Sequence, residues 1–318
     1  MTSQAAEPGG RQFRTGIIAM APAAARKEWL DRVLRIDDQG HDVLLMPDHL
    51  GLWPPFTPLV AAAEASDRLR FGTLVLNNEF WSPVLLAREA AAVDVLTGGR
   101  LELGLGAGHA AVEFAVSGIP YDPPGARVGR LAEAVALVRR LLAGEVVNHD
   151  GAYQLEGAVT GLATAQSPVP LMVGGNGDRV LRIAAEHADI VGLVGFTAGT
   201  GLLHTDLSHF TWDGLADRIG HVRRCAGPRF DDLELSVLVQ RVAIVDDARV
   251  AAEEFAGGAD VDVDVDMLLD SPFVQFGPES ALADQLERLR AEHGVTHVTT
   301  FEHSAEALGA VRGHLSRQ

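Results

Sequence analysis

Short apolar runs alternate with segments of helical period along nearly the whole chain, and that rhythm restricts the fold more than any other feature. The first run is Phe13 to Ala19, and the helical stretch after it carries Trp29, Leu30, Val33, Leu34 and Ile36 on one stripe. Val43 to Met46 is the second run, followed by a proline-bearing loop and a helix from Pro58 to Ala65. After a third run, Leu69 to Leu76, Ser82 and Pro83 supply an N-cap and a first-turn proline for a helix reaching Leu96. Leu101 to Leu105 is the fourth run, and Arg127 to Leu142 is a helix closed by Gly144. The rhythm breaks over residues 146–167, where His149-Asp150-Gly151 between short alternating runs reads as a hairpin insertion. It resumes at Leu171 to Val173, with a helix from Asp178 to His187 and a strand from Asp189 to Val194. A second insertion, Gly195 to Trp212, precedes a helix to Ala226. A strand within Leu233 to Val245, an acidic helical region, a helix from Glu279 to Glu292 and a last strand at Thr296 to Thr300 complete the pattern. Eight strands, each followed by a helix, predict a single α/β domain, a (β/α)8 TIM barrel over residues 13–318. Its insertions fall after strands 4 and 6 and between strands 7 and 8.

Composition narrows the class. With 47% apolar residues the chain can bury a large core, and 26 Lys and Arg against 43 Asp and Glu leave a net charge of −17. Such a surface repels nucleic acid and anionic membranes, so the expected partner is a small organic molecule. The single cysteine, Cys225, excludes internal disulfides and cysteine-based zinc sites and fits a reducing cytoplasm. No stretch approaches the roughly 18–20 apolar residues that cross a bilayer. Residues 1–12, with neither a basic start nor an apolar run, read as a disordered tail.

Three motifs carry candidate chemistry. Pro47-Asp48-His49, with Trp53 beyond it, follows the second strand and so falls at the C-terminal mouth of a barrel, where catalytic groups collect. An imidazole there exchanges protons near neutral pH, and a neighbouring carboxylate can orient it or bind a cofactor edge. A helix-capping Asp beside a solvated His would spell the same letters. Val173-Gly174-Gly175-Asn176-Gly177 leads from a strand into a helix, a setting in which backbone amides can approach a phosphate. A Gly-rich turn without a ligand is the plain alternative. Gly106-x-Gly108-x-x-Ala111 matches a relaxed dinucleotide fingerprint, but that fingerprint should open a fold and lead to a parallel strand, which Tyr121-Asp122-Pro123-Pro124 is not. Gly106 and Gly108 are expected instead to keep the barrel mouth open beneath a planar ring. Asp260, Asp262, Asp264 and Asp266 lack the Gly and Glu of a calcium loop and read as a solvated acidic segment. The histidines have no zinc-ligand spacing and no Gly-x-Ser-x-Gly elbow exists, so no metal is expected.

Ordered blocks then become recognisable: Gly40-His41-Asp42 through Pro47-Asp48-His49, Phe71 to Asn78, Leu85 to Ala90, Gly98 to Gly108, Gly118 to Pro124, and Val173-Gly174-Gly175. Over residues 13–318 the chain resembles the luciferase-like monooxygenase superfamily, and within it the actinobacterial branch that uses the deazaflavin coenzyme F-420. The resemblance implies that His49 is the active-site histidine, that Asp48 contacts the cofactor and that Trp53 packs by its ring. It places a bulge with a non-proline cis peptide behind the ring at Thr73, Leu74 and Val75, and the cofactor phosphate on Val173, Gly174 and Gly175. Where related enzymes carry an acid and then an Asn after the glycine motif, this chain has His109 and Val112. The acid that serves sugar-phosphate dehydrogenases as proton donor is therefore missing there, and His109 becomes the second candidate for proton transfer. Lys27 is the only lysine, so no lysine set awaits a phosphorylated substrate.

The implied activity is hydride transfer between coenzyme F-420 and a small organic substrate. A deazaflavin lacks N5, moves hydride pairs and reacts poorly with oxygen, which points to a reductase or dehydrogenase. The alternatives are a flavin mononucleotide (FMN)-dependent monooxygenase of the same fold and a non-catalytic flavin-binding protein. His49→Ala spares binding under each reading and abolishes turnover only in an enzyme. The resemblance also implies a homodimer, and Gly195 to Trp212, with His204, His209, Phe210 and Trp212, is a candidate lid.

Overall fold

Successive side chains of a strand face opposite ways, so each apolar run here builds two cores at once. The computed structural model describes residues 11–20, 25–197, 205–258 and 263–315. The expected tail lies outside them except for Arg11 and Gln12.

The chain begins β1 (Arg14–Ile18), α1 (Arg26–Asp38), β2 (Val43–Met46), α2 (Phe56–Ala63), β3 (Arg70–Thr73), its continuation β4 (Leu76–Asn77), α3 (Pro83–Leu96) and β5 (Leu101–Gly106). Then come α4 (Ala111–Ser117), α5 (Pro124–Leu142), the antiparallel hairpin β6 (Val147–Asp150) and β7 (Gln154–Ala158), β8 (Leu171–Gly175), α6 (Asp178–His187) and β9 (Ile190–Leu193). The last third holds α7 (Trp212–Ala226), β10 (Glu234–Val239), β11 (Arg241–Ile244), α8 (Ala248–Gly257), α9 (Val265–Leu269), β12 (Val274–Gly277), α10 (Glu279–His293), β13 (Val295–Phe301) and α11 (Ala305–Leu315). β3-β2-β1-β13-β10-β9-β8-β5 pair in parallel, and pairing of β3 with β5 closes the ring into an eight-stave barrel.

Outward residues such as Ile17, Leu44, Phe71, Leu103, Leu171, Val191 and Val237 are buried under the helices, where they join Trp29, Leu59, Leu131, Leu181 and Leu286. Each such aliphatic side chain contributes about 1.5–3 kcal/mol on burial. Inward residues Ile18, Val43 and Leu45 pack with Leu74, Leu238 and Phe301. At the opposite end, where the staves begin, Arg14 pairs with both Glu102 and Glu234, and Arg70 also bonds Glu102. This network plugs the N-terminal end of the barrel.

The structure corrects several local expectations. The strand expected within Leu233 to Val245 is two strands, and β11 leaves the barrel to pair in parallel with β12, a strand the helical reading of that region passed over. Phe273, Val274 and Phe276 are all buried, which is why that short run becomes a strand. Of the acidic segment, Asp260 and Asp262 lie outside the described residues. Asp264 and Asp266 are exposed, as expected of a solvated segment, and the Asp264 carboxylate also caps α9 by accepting from the Asp266 and Met267 amides. Ser82 stands at the N-cap of α3 with Pro83 behind it, yet its hydroxyl makes no capping bond.

Candidate active site

The third stave carries the first element of the site. Phe71 and Gly72 pair with Leu101 and Glu102, whereas Leu76 and Asn77 pair with Leu105 and Gly106, so one stave takes four steps where its neighbour takes three. The extra residue makes a bulge at Leu74-Val75, whose peptide bond is cis. Across it the Thr73 hydroxyl donates to the Gly104 carbonyl and accepts from the Gly104 amide, both at 2.9 Å, and so stands in for the interrupted ladder. Thr73 is buried and spent on this task, while Leu74 and Val75 are half-buried.

The glycines of the fourth stave are fitted to that bulge. A Cβ on Gly106 would lie 2.6 Å from Val75 Cγ2, and one on Gly108, at φ +70°, would lie 2.2 Å from Asn77 Oδ1. The expectation that these two positions hold the mouth open is therefore corrected, because Val75 and Asn77 already fill the space a side chain would need.

The second stave delivers Asp48 and His49. Asp48 Oδ2 accepts from Trp81 Nε1 at 2.9 Å and from the Asn77 amide at 3.2 Å. Burial pushes the Asp48 carboxyl above its ordinary pKa, an effect these two donors oppose. His49 Nδ1 lies 2.8 Å from Glu113 Oε1, which also accepts from the Leu50 amide at 3.2 Å. Glu113 sits in the first turn of α4 and is buried. The His109 ring meets His49 edge-to-face, 5.7 Å between centroids. His109 has a solvent-facing edge, yet enclosure by the surrounding protein, and then His49, lower its pKa. Trp53 is half-buried and meets Trp29 of α1 edge-on at 5.9 Å. A groove of about 230 Å³ is lined by Glu113 together with Leu50, Gly51, Val112 and Val116.

Val173 is fully buried at the end of the fifth stave, with Gly174 and Gly175 half-buried beyond it. Gly177 occupies the N-cap of the ten-residue helix α6 and offers no side-chain cap. The first amides of α6 are thus left for a ligand or water. Asn176 donates through Nδ2 to Thr197 Oγ1 and contacts His209 Nδ1, each at 3.3 Å, which ties the 195–212 insertion to this loop. His204 lies outside the described residues. Phe210 and Trp212 are buried: Phe210 stacks on Phe273 and Trp212 on His293, which removes aromatic surface from water.

Asp48, His49, the Leu74-Val75 bulge and the glycine loop thus all gather at one end of one barrel. Glu113, Trp81 and Asn77 were not among the residues expected there. Glu113 stands in the first turn of α4, and the sequence does not say which neighbour that carboxylate reaches. The fit to a ring cofactor with a phosphate is good. Asn77 Nδ2 and Asn176 Oδ1 are buried without partners among the described residues, and α6 begins uncapped beside side-chain-free glycines. A larger cavity, about 390 Å³, lies at the opposite end among Arg14, Arg70, Glu102 and Glu234, and belongs to the closing network.

A closed parallel barrel with ionisable groups gathered beyond the C-terminal ends of its staves is the architecture of a (β/α)8 enzyme. More narrowly, the chain belongs to the luciferase-like monooxygenase family, which matches over residues 12–312. It is 32% identical over 188 residues to the F-420-dependent glucose-6-phosphate dehydrogenase of Intrasporangium calvum, 56% of this chain and 56% of that protein. The chain thus spans just over half the length of the relatives it matches by sequence. The coenzyme F-420-dependent tetrahydromethanopterin reductase of Methanopyrus kandleri superposes with a TM-score of 0.75 at 19% identity, covering 96% of this chain and 99% of that one. A monooxygenase from Streptomyces bottropensis superposes with a TM-score of 0.72 at 20% identity, covering 95% and 99%. At such identities the two structures establish the fold alone. Among the described residues no helix is long and apolar enough to cross a membrane.

Proposed function

We propose that this chain is an oxidoreductase that transfers hydride between coenzyme F-420 and a small organic substrate. The observation that carries the reading is His49, held by Glu113 at the end of the second stave beside the Leu74-Val75 bulge. The relatives named as F-420-dependent support the cofactor. A bound deazaflavin supplies the hydride acceptor or donor. Asp48, Leu74 and Val75 would hold its ring, with Gly106 and Gly108 making room for Val75 and Asn77 behind it, and Val173, Gly174 and Gly175 with the first amides of α6 would hold its phosphate. His49 exchanges the proton that accompanies hydride transfer, and His109 stands next to it as the second candidate. Leu50, Val112 and Val116 wall the groove on whose lining Glu113 stands.

The glucose-6-phosphate of the sequence relatives is not carried over to this chain. The groove has apolar walls and the Glu113 carboxylate in its lining, and Lys27 is the only lysine, which argues against a phosphate ester there. We read the molecule further as cytoplasmic and as a homodimer, and sedimentation velocity tests the dimer.

Fluorescence-quenching titration with coenzyme F-420 and, separately, with FMN decides the cofactor. Micromolar binding of the deazaflavin with much weaker binding of FMN supports the reading. Preference for FMN moves the chain to the monooxygenases of its family, and binding of neither overturns the cofactor assignment.

A further inference from the structure

His49 has two ring nitrogens, and a proton-transfer role needs one of them bare and facing the reaction. Glu113 Oε1 points to which. It receives the Leu50 amide at 3.2 Å, and a backbone N–H can only donate. The same oxygen lies 2.8 Å from His49 Nδ1, so an ionised Glu113 pairs with a protonated Nδ1 and leaves Nε2 with its lone pair. His109, edge-on to the ring, adds no hydrogen bond that would favour the other tautomer.

We infer that Glu113 is the positioning residue of this site. It locks His49 as the Nδ1–H tautomer and balances the charge the imidazole acquires, so that His49 moves protons through Nε2. The step is a proton transfer alone. Nε2 gains the proton, and Nδ1 keeps its own in the hydrogen bond to Glu113. The inference rests on the reading of this mouth as the active site, but its main test needs no cofactor.

Imidazole 15N spectra of the cofactor-free protein report the tautomer directly, with His49→Gln assigning the resonance. The wild type is expected to show Nε2 as the bare nitrogen. Glu113→Gln keeps an accepting oxygen and should keep the tautomer, whereas Glu113→Ala should give a mixture of the two. Once a substrate is in hand, both variants should lose kcat by at least ~10²-fold, the scale of general acid–base catalysis, with KM changed less than threefold. Coenzyme F-420 affinity in both should stay within threefold of wild type, because Asp48 is held by Trp81 and Asn77 rather than by Glu113. An unchanged tautomer in Glu113→Ala, or kcat within twofold of wild type, overturns the inference. Failure of the wild type to bind coenzyme F-420 overturns the proposed function and leaves the tautomer result standing.

Discussion

Thr73 and Gly104 face each other so closely that a Cβ on Gly104 would lie 2.0 Å from the Thr73 carbonyl oxygen. The obstacle is backbone, itself anchored by the two bonds between the Thr73 hydroxyl and Gly104, so it cannot turn aside as a side chain would. Gly104→Ala is therefore expected to cost at least about 2 kcal/mol, the upper part of the overpacking range, and to force the bulge apart. Urea denaturation reads the stability. A loss below about 0.5 kcal/mol would mean that the third and fourth staves can separate without penalty.

Trp81 holds Asp48 from the side. Its indole N–H opposes the burial that raises the Asp48 pKa, so Trp81→Phe removes the brake and the pKa should rise further. The sign for stability follows. A carboxyl raised above its unfolded value binds protons more readily when folded, so ionised Asp48 costs stability as pH rises through its folded pKa, and the variant should pay more at neutral pH. A 13C titration of the Asp48 carboxyl in both proteins checks the direction. A fall in the variant contradicts it.

Much of the barrel and part of the site could be read from local pattern alone. All eight staves lie in apolar runs, and the Asp48–His49 position followed from where a loop after a stave must point. What escaped reading depended on tertiary contact. Glu113 acts through the angle at which α4 meets the loop after β2, and nothing in Val112-Glu113-Phe114 encodes that angle. Trp81 reaches Asp48 across 33 residues. Phe210 and Trp212 looked like lid residues because aromatics in a Gly- and Thr-rich stretch suggest exposure, yet Phe273 and His293, far along the chain, cover them. Val274–Gly277 was passed over because its one partner strand, β11, leaves the barrel.

Two buried histidines should govern acid stability. Burial, ahead of every other influence, lowers His41 to about 4 and His297 to about 3. Both fall below the unfolded value of 6.5, so below pH 6.5 the unfolded chain takes up protons that the folded one refuses. Stability is then complete above pH 6.5 and falls as pH drops toward the folded values, by about 1.4 kcal/mol per pH unit for each histidine. Neither ring nitrogen of His297 has a partner among the described residues, so His297→Leu removes no hydrogen bond. The variant should lose about 2 kcal/mol less than wild type between pH 7.5 and pH 5. Equal losses in urea melts at the two pH values would exclude His297 as a source of the acid sensitivity.

The N-terminal end of the barrel offers the opposite kind of test, since stability and catalysis should separate there. Burial alone would push the Glu102 carboxyl up, and the Arg14 pair reverses this so far that it falls to about 2. Its pKa is thus depressed from 4.5, and the stability it contributes is present above pH 4.5 and lost as pH falls toward 2. Removing Arg14 leaves Glu102 with Arg70 and Glu234 with no guanidinium in the network. Breaking a buried pair costs about 3–5 kcal/mol, and the partial exposure of Arg14 places the expected loss for Arg14→Ala near the lower end, about 3 kcal/mol. Yet the substitution lies a full strand length from His49, at the end of the barrel that serves stability rather than chemistry. Coenzyme F-420 affinity measured well below the lowered melting temperature should therefore match wild type within twofold. If affinity fell together with stability, the plug and the mouth would be one cooperative unit, and the inward layer of Ile18, Leu45, Leu74, Leu238 and Phe301 would be the material connecting them.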